Sequence, residues 1–200
     1  MNIAIFASGN GSNFQAIAEA VKKGKIKAKL ALLVCNEPGA RVLERAKKLK
    51  VEVFLIERNN FSSKEEYEKE IIRKLKEKDI GLIALAGYMK MVGPGILKAY
   101  KNKIMNIHPA LLPFFKGTSG IKDALAYGVK VTGPTVHFVD EGMDTGPIIM
   151  QAEVKVEDKD TEATLAEKIH NAEHRIYPEA VRLFVEGKLK IEGRKVTVEI

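Results

Sequence analysis

Residues 106–117 read NIHPALLPFFKG, which places an asparagine and a histidine one residue apart at the end of an apolar run. Side chains alternate faces along a strand, so Asn106 and His108 would project to the same side. Pro109 cannot continue a ladder, and this puts His108 on the last rung. A third candidate, Asp144, lies in VDEGMDTGP between two further strand-like runs. Taken alone it reads as turn chemistry. Taken together, the three side chains suit attack on a carbonyl carbon through a tetrahedral intermediate. An asparagine donates to an oxyanion, a histidine gives or takes a proton near neutral pH, and an aspartate orients and charges that histidine. No covalent nucleophile accompanies them: Cys35 stands alone on the second strand-like run, and there is no G-x-S-x-G elbow. The chemistry expected is direct transfer to an incoming amine rather than an acyl-enzyme.

A second constellation follows the first strand-like run, in ASGNGSNFQAI. Small residues between a strand and a helix let backbone N–H groups meet an anion at the helix terminus. Gly9 and Gly11 begin a G-x-G-x-x-G pattern, but position 14 is Phe14, whose bulk opposes the close helix–sheet packing that a third glycine permits. Glu37 in VCNEPG is only loosely placed for a ribose, and no Walker lysine follows the loop. A single phosphate fits better than a dinucleotide, with a plain glycine turn as the alternative. Ser12 and Asn13 would add hydrogen bonds to the phosphate or cap the helix.

These residues need strands to carry them. Strand-like runs are Ile3–Ala7, Leu30–Cys35, Val53–Ile56, Ile80–Ala86, Ile104–His108, Val131–Val139 and Ile148–Val154. Helix-period stretches at Ser12–Lys23, Gly39–Leu49 and Lys64–Lys78 alternate with the early ones, the third behind a doubled capping signature, Ser62 with Glu65 and Ser63 with Glu66. This rhythm predicts an α/β fold: a mostly parallel, twisted, Rossmann-like sheet with helices on both faces. Sites in such sheets lie beyond the carboxyl ends of the strands, where Asn106 and His108 fall. From Val131 the pattern predicts an antiparallel addition, then a long helix, Thr161–Glu186, bent at Pro178. The tail KLKIEGRKVTVEI predicts a hairpin turning at Glu192–Gly193. With no internal repeat or linker, the chain is expected to form one domain, residues 1–100 its phosphate-binding half and 101–200 its catalytic and folate-binding half.

Two hundred residues can bury a real core, and 46% hydrophobic with 30% charged residues is ordinary for a globular protein. No apolar run approaches the ~18 residues of a membrane span, and MNIAIF has no basic lead, so neither a span nor a signal peptide is expected. One cysteine excludes an internal disulfide and predicts a cytoplasmic setting. The formal charge of +7 raises the question of nucleic acid. Its lysines, however, alternate with glutamates in SKEEYEKEIIRKLKEKD, the pattern of solvated helix faces. Aromatics at 6% give no stacking series for single strands. Anionic small molecules are the expected partners, with no nucleic acid and no membrane.

ASGNGSN, NIHPALLP, TVHFVDEGMDTGPII and EHRIYP together resemble the folate-dependent formyltransferases of the glycinamide ribonucleotide transformylase type, over essentially all 200 residues. The resemblance implies transfer of a formyl group from 10-formyltetrahydrofolate to the amino group of 5-phosphoribosylglycinamide, in purine synthesis, by a single formyltransferase domain acting as a monomer or homodimer without a metal. Asn106 and His108 would stabilise the oxyanion, with His108 the proton donor and Asp144 raising its pKa. Gly11, Ser12 and Asn13 would hold the substrate phosphate, and Glu173 would meet the ribose hydroxyls. Lys64, Met89, Lys90, Met91 and Val92, with Asn106, would contact the folate. Pro109, Leu111, Leu112 and Pro113 would shape the turn below the reacting carbon. This sequence departs from the pattern at Lys90, where arginine is common, at Ala110, where serine is common, and at Ser119, near a position often held by histidine.

Other readings compete with this one. The related deformylases hydrolyse 10-formyltetrahydrofolate with a similar Asn-His-Asp set but usually carry an extra amino-terminal domain, whereas here the catalytic-type stretch is expected to begin at Met1. Formylation of methionyl-tRNA would need a carboxyl-terminal nucleic-acid-binding domain, for which no room is expected. A non-enzymatic sensor would bind a phosphorylated metabolite and turn nothing over. HNAEH, residues 170–174, matches a zinc pattern in which His170 and His174 lie one turn apart, but a third ligand is not evident, and a polar helix edge facing substrate fits better. His137 reads as a hydrogen-bonded buried histidine, and Phe6 and Tyr88 as core or pocket lining.

Overall fold

The structure, a computed structural model, describes residues 1–199. It forms a mixed α/β fold in two compact units, Met1–Met105 and Asn106–Ile200. The first unit opens on β1 (Asn2–Phe6), in which Ile3, Ala4, Ile5 and Phe6 are all fully buried, as in a strand covered on both faces. There follow α1 (Ser12–Lys22), β2 (Lys29–Cys35), α2 (Arg41–Leu49), β3 (Val53–Leu55), α3 (Lys64–Glu77), β4 (Ile80–Leu85) and α4 (Pro94–Ala99).

The strand order is β4-β1-β2-β3, every pair parallel. The chain thus winds outward from β1 to β3 and returns to the other side of β1 with β4. That reversal opens a crevice at the carboxyl ends of β1 and β4, where such sheets bind ligands. The two loops leaving it are tied together by Ser8. Its N–H donates to the Gly87 carbonyl at 3.0 Å, and its hydroxyl accepts from the Met89 N–H at 2.8 Å and donates to Asn36 Oδ1 at 2.6 Å.

Sequence and structure agree on these elements to within two residues, with instructive exceptions. Only Ser63 caps α3, accepting from the Glu66 N–H at 3.1 Å, while the Ser62 hydroxyl donates to the Glu66 carboxylate instead. Along α3, Tyr67, Ile71 and Leu75 recur every fourth residue and are buried, the stripe of a core-facing helix. Helix α4 is absent from the sequence expectations, because GPGILKAY reads as a loop; Pro94 occupies its first position, where a missing N–H costs nothing.

The strand β5 (Ile104–His108) carries the chain into the second unit, which continues with α5 (Gly120–Tyr127), also not foreseen, β6 (Val131–Thr132), β7 (Thr135–Phe138), β8 (Ile148–Gln151), β9 (Val154–Lys155), α6 (Glu162–Val185), β10 (Leu189–Glu192) and β11 (Lys195–Val198). The expected strand Val131–Val139 is two strands, broken at Gly133–Pro134, where proline cannot donate to a ladder. The expected Ile148–Val154 breaks at the same level, and the Ala152 N–H donates to the Pro134 carbonyl at 3.2 Å. The outer pieces, β6 and β9, form their own two-stranded antiparallel sheet, while β7 and β8 pair antiparallel. The closing hairpin pairs Glu192 with Lys195, so its turn is Gly193–Arg194, one residue later than expected.

Helix α6 runs unbroken past Pro178 and starts with a capping box in which Thr161 and Thr164 satisfy each other's backbone N–H. Its Leu165, Ile169 and Ala172 pack with Val154 and Val156 in one apolar cluster. Among the described residues no helix is long and apolar enough to cross a membrane.

Leu33 on β2 is fully buried between neighbouring strands. Leu33→Ala is expected to lower the unfolding free energy by about 2–5 kcal/mol, as cavity-creating core substitutions do. Urea titration reads this directly; an unchanged midpoint would mean that β2 is not a core strand.

Candidate active site

In the second unit the end of β5 brings three predicted side chains together. The Asn106 amide nitrogen lies 3.4 Å from Asp144 Oδ1, and Asp144 Oδ2 lies 3.4 Å from His108 Nδ1. His137 on β7 completes the group, with Nε2 at 3.2 Å from the Asn106 amide nitrogen and 3.5 Å from Asp144 Oδ1. Both imidazoles are buried, at 3% and 2% exposure, whereas Asn106 is half-buried. The reading of His137 as a hydrogen-bonded buried histidine, favoured over direct participation, agrees with these contacts. The signal for His137 was its position in a strand whose neighbour ends in Asn106 and His108.

Carbonyl groups fix the ring protons, because they can only accept. His137 Nδ1 faces the Phe138 carbonyl at 2.8 Å, so this nitrogen carries hydrogen and Nε2 is left to accept from Asn106. His108 Nε2 donates to the Phe115 carbonyl at 2.7 Å, leaving Nδ1 toward Asp144. Asp144 also accepts from the Gly117 N–H at 2.9 Å and adopts a left-handed φ of 52°, uncommon for a residue with a Cβ.

Burial pushes the His108 imidazole below its ordinary value. The Asp144 charge and the Phe115 carbonyl oppose this, so the expected upward pull of Asp144 is present but outweighed. Burial also works to raise the Asp144 carboxyl. The neighbouring His137 and His108 rings and the hydrogen bond from the Gly117 N–H prevail, and its pKa falls below the ordinary carboxylate value. The site therefore holds a carboxylate against two buried rings at neutral pH.

The turn after β5 hangs on one hydroxyl that sequence reading missed. Thr135 Oγ1 donates to the Ala110 carbonyl at 2.7 Å and accepts from the Leu112 N–H and from Gln151 Nε2. Gln151 also donates to the Leu112 carbonyl. Ala110 itself is fully buried, and Ser119 precedes α5 without capping it through its side chain. Glu173 on α6 is buried at 3% exposure and accepts from His170 Nδ1 at 2.9 Å, which raises the His170 pKa. Thus two members of HNAEH pair with each other, and among the described residues no group of His, Cys, Asp and Glu is placed to hold a metal ion.

In the first unit, Gly11 is the N-cap of α1, with φ 77°, and a Cβ there would overlap the Val42 side chain. Only glycine fits on both counts. The cap supplies no side-chain acceptor and the first turn has no acidic residue, which leaves the positive end of the helix to an outside anion. Asn13 is buried and Ser12 half-buried. Arg45 of α2, another residue sequence reading missed, donates to the Asn10 carbonyl and side chain at 2.8 and 2.7 Å and to Gln15, fixing the loop. Beside it opens a cleft of about 470 Å³ lined by Ser8, Asn10, Glu37 and Arg41.

The segment after β4 presents Met89 at 70% and Met91 at 54% exposure, with Lys90 exposed between them. Lys64 begins α3. Tyr88 turns inward, its ring edge-on to Phe6 at 5.2 Å and its hydroxyl 2.7 Å from that of Tyr67.

An α/β fold with Asn106, His108 and Asp144 gathered at the carboxyl end of β5 is an arrangement suited to acyl-group chemistry. The family model described as formyl transferase matches residues 1–181, and the chain belongs to that family. It is 48% identical over 179 residues to phosphoribosylglycinamide formyltransferase of Bacillus subtilis (strain 168), covering 90% of this chain and 92% of that protein. It superposes on glycinamide ribonucleotide transformylase 1 of Symbiobacterium toebii with a TM-score of 0.98 at 42% identity, covering 100% of this chain and 94% of that one. A formyltetrahydrofolate deformylase from Pseudomonas syringae shares the fold, with a TM-score of 0.93 over 100% of this chain and 66% of its own, at 22% identity. The chain is a formyltransferase enzyme.

Because the folded His108 pKa lies below the unfolded value of 6.5, its contribution to stability is in place above that pH and is lost as pH falls through the folded value. Proton NMR of the ring should show His108 titrating below 6.5. Asp144→Asn removes the opposing charge and should move the titration lower still. A rise in that variant would contradict the assigned contact.

Proposed function

We propose that the enzyme transfers the formyl group of 10-formyltetrahydrofolate to the amino group of 5-phosphoribosylglycinamide, by direct attack, in the cytoplasm. The observation that carries this reading is the convergence of Asn106, His108 and Asp144 at the end of β5.

The formyl donor supplies an electrophilic carbon on a leaving nitrogen. When the substrate amine adds to that carbon, the carbonyl oxygen becomes an oxyanion. Asn106 spends its two amide hydrogens on His137 and Asp144, and the 3.4 Å bond to Asp144 is the longer and weaker one, ready to be exchanged for the oxyanion. His108 delivers a proton as the intermediate collapses. The new C–N bond stays and the bond to the folate nitrogen breaks; His108 takes the proton that the amine loses and returns one to that nitrogen, so the ring ends as it began. A buried imidazole of lowered pKa releases a proton readily, and the neighbouring Asp144 carboxylate steadies the charged ring.

The remaining residues bind. The amides of Gly11, Ser12 and Asn13 suit the substrate phosphate at the start of α1, as the uncapped helix end supports. Glu173 offers a carboxylate to the ribose hydroxyls. Exposed Met89 and Met91 give a polarisable apolar wall to a flat heterocycle, with Val92 behind them and the cations Lys64 and Lys90 near the donor's carboxylates.

An assay with both small molecules tests the reading. Asn106→Ala and His108→Ala are expected to lose about 10²–10³ or more in kcat, the usual cost of removing an oxyanion donor, with unchanged urea transitions. Formate release without the amine substrate would instead identify a hydrolase.

A further inference from the structure

One carboxylate buried in the first unit has no part in the chemistry above. Glu68, on the inner face of α3, keeps only 7% of its side-chain surface exposed. Its Oε2 accepts from the Gly95 N–H at 3.2 Å, near the start of α4. Its Oε1 lies 3.8 Å from the Lys64 ammonium and has no hydrogen-bond partner among the described residues. A Cβ on Gly93 would overlap Oε1, and a Cβ on Gly95 would sit 3.0 Å from Oε2. The carboxylate therefore occupies the space that side chains at 93 and 95 would need, and the run G-P-G is what admits it.

Burying a carboxylate is expensive unless charge or hydrogen bonds compensate it. Among the described residues the compensation comes from the Gly95 N–H, just after Val92, and from the side chain of Lys64. Lys64 belongs to the set that meets the formyl donor in the function proposed above, on which this inference rests, and Gly95 follows the Met89–Val92 part of that set by three residues. We propose that Glu68 is a positioning residue for the formyl donor, fixing the backbone that follows Met89–Val92 and drawing Lys64 toward it. Its loss is then felt in donor binding rather than in formyl transfer or in binding of the phosphorylated substrate.

Steady-state kinetics of Glu68→Ala and Glu68→Gln, with Gly93→Ala as a second route to the same contact, test this. The KM for 10-formyltetrahydrofolate is expected to rise about tenfold in Glu68→Ala and Gly93→Ala, the cost of a hydrogen bond to a charged group, while kcat and the KM for phosphoribosylglycinamide stay within about twofold. Glu68→Gln keeps an acceptor but not the charge and should fall between. Hydrogen exchange at the Gly95 amide should quicken in Glu68→Ala, and if that variant does not fold, the other two carry the test. Met91→Ala separates the two layers of the argument. A donor KM unmoved by the Glu68 and Gly93 changes but raised by Met91→Ala would overturn the positioning role alone. A donor KM unmoved by all of them would overturn the donor-segment reading and this proposal with it.

Discussion

A carboxylate cannot sit between two buried imidazoles unless something fixes which hydrogen faces which lone pair, and the second unit is arranged around that requirement. The Phe138 carbonyl claims His137 Nδ1–H, so Nε2 presents a lone pair. That lone pair takes one hydrogen of Asn106 and fixes which end of the amide faces Asp144. The Phe115 carbonyl claims His108 Nε2 in the same manner. Two backbone carbonyls thus set the polarity of the whole cluster, and a flipped Asn106 would bring its oxygen against a carboxylate. Asp144 pays for its place with a left-handed backbone, and its loop is braced on both sides. Asp140 accepts from the Thr145 hydroxyl at 2.6 Å, while Arg194 in the closing hairpin donates to the Thr145 carbonyl at 2.8 Å.

What could be read from the sequence divides along the same line. Asn106 and His108 were legible because a strand's period and a following proline are local facts. The order of the first elements was legible because each carries its own apolar period. Gly133–Pro134 cut one expected strand because apolar residues on both sides hid the break, and α4 and α5 were missed because each is short and flanked by glycine. The residues that hold the site in shape left no local mark. Thr135 and Gln151 brace a turn more than twenty residues away from either, and Arg45 reaches a loop 35 positions earlier. The role of His137 exists only once β7 is in place.

The charge of the chain shows how far composition can mislead. A surplus of seven positive charges invites a polyanion, yet many of the cationic side chains stand against carboxylates of their own chain. Arg73 bridges Glu70 and Glu77, Lys74 and Lys78 both reach Glu52, and Arg182 bridges Glu179 and Glu186. Exposed pairs of this kind contribute little stability singly, but they hold cationic side chains along their own helices.

The end of α1 proposed to meet the phosphate would work by the opposite means. Gly11 offers no side chain and the first turn no acid. Phe14, where a dinucleotide loop would have its third glycine, is fully buried and fills the space between helix and sheet that such a glycine would leave open. An aromatic ring at this position opposes the close approach to a pyrophosphate that the third glycine permits. Under the proposed function the loop would take a single phosphate, a choice that Phe14, itself part of the core, supports.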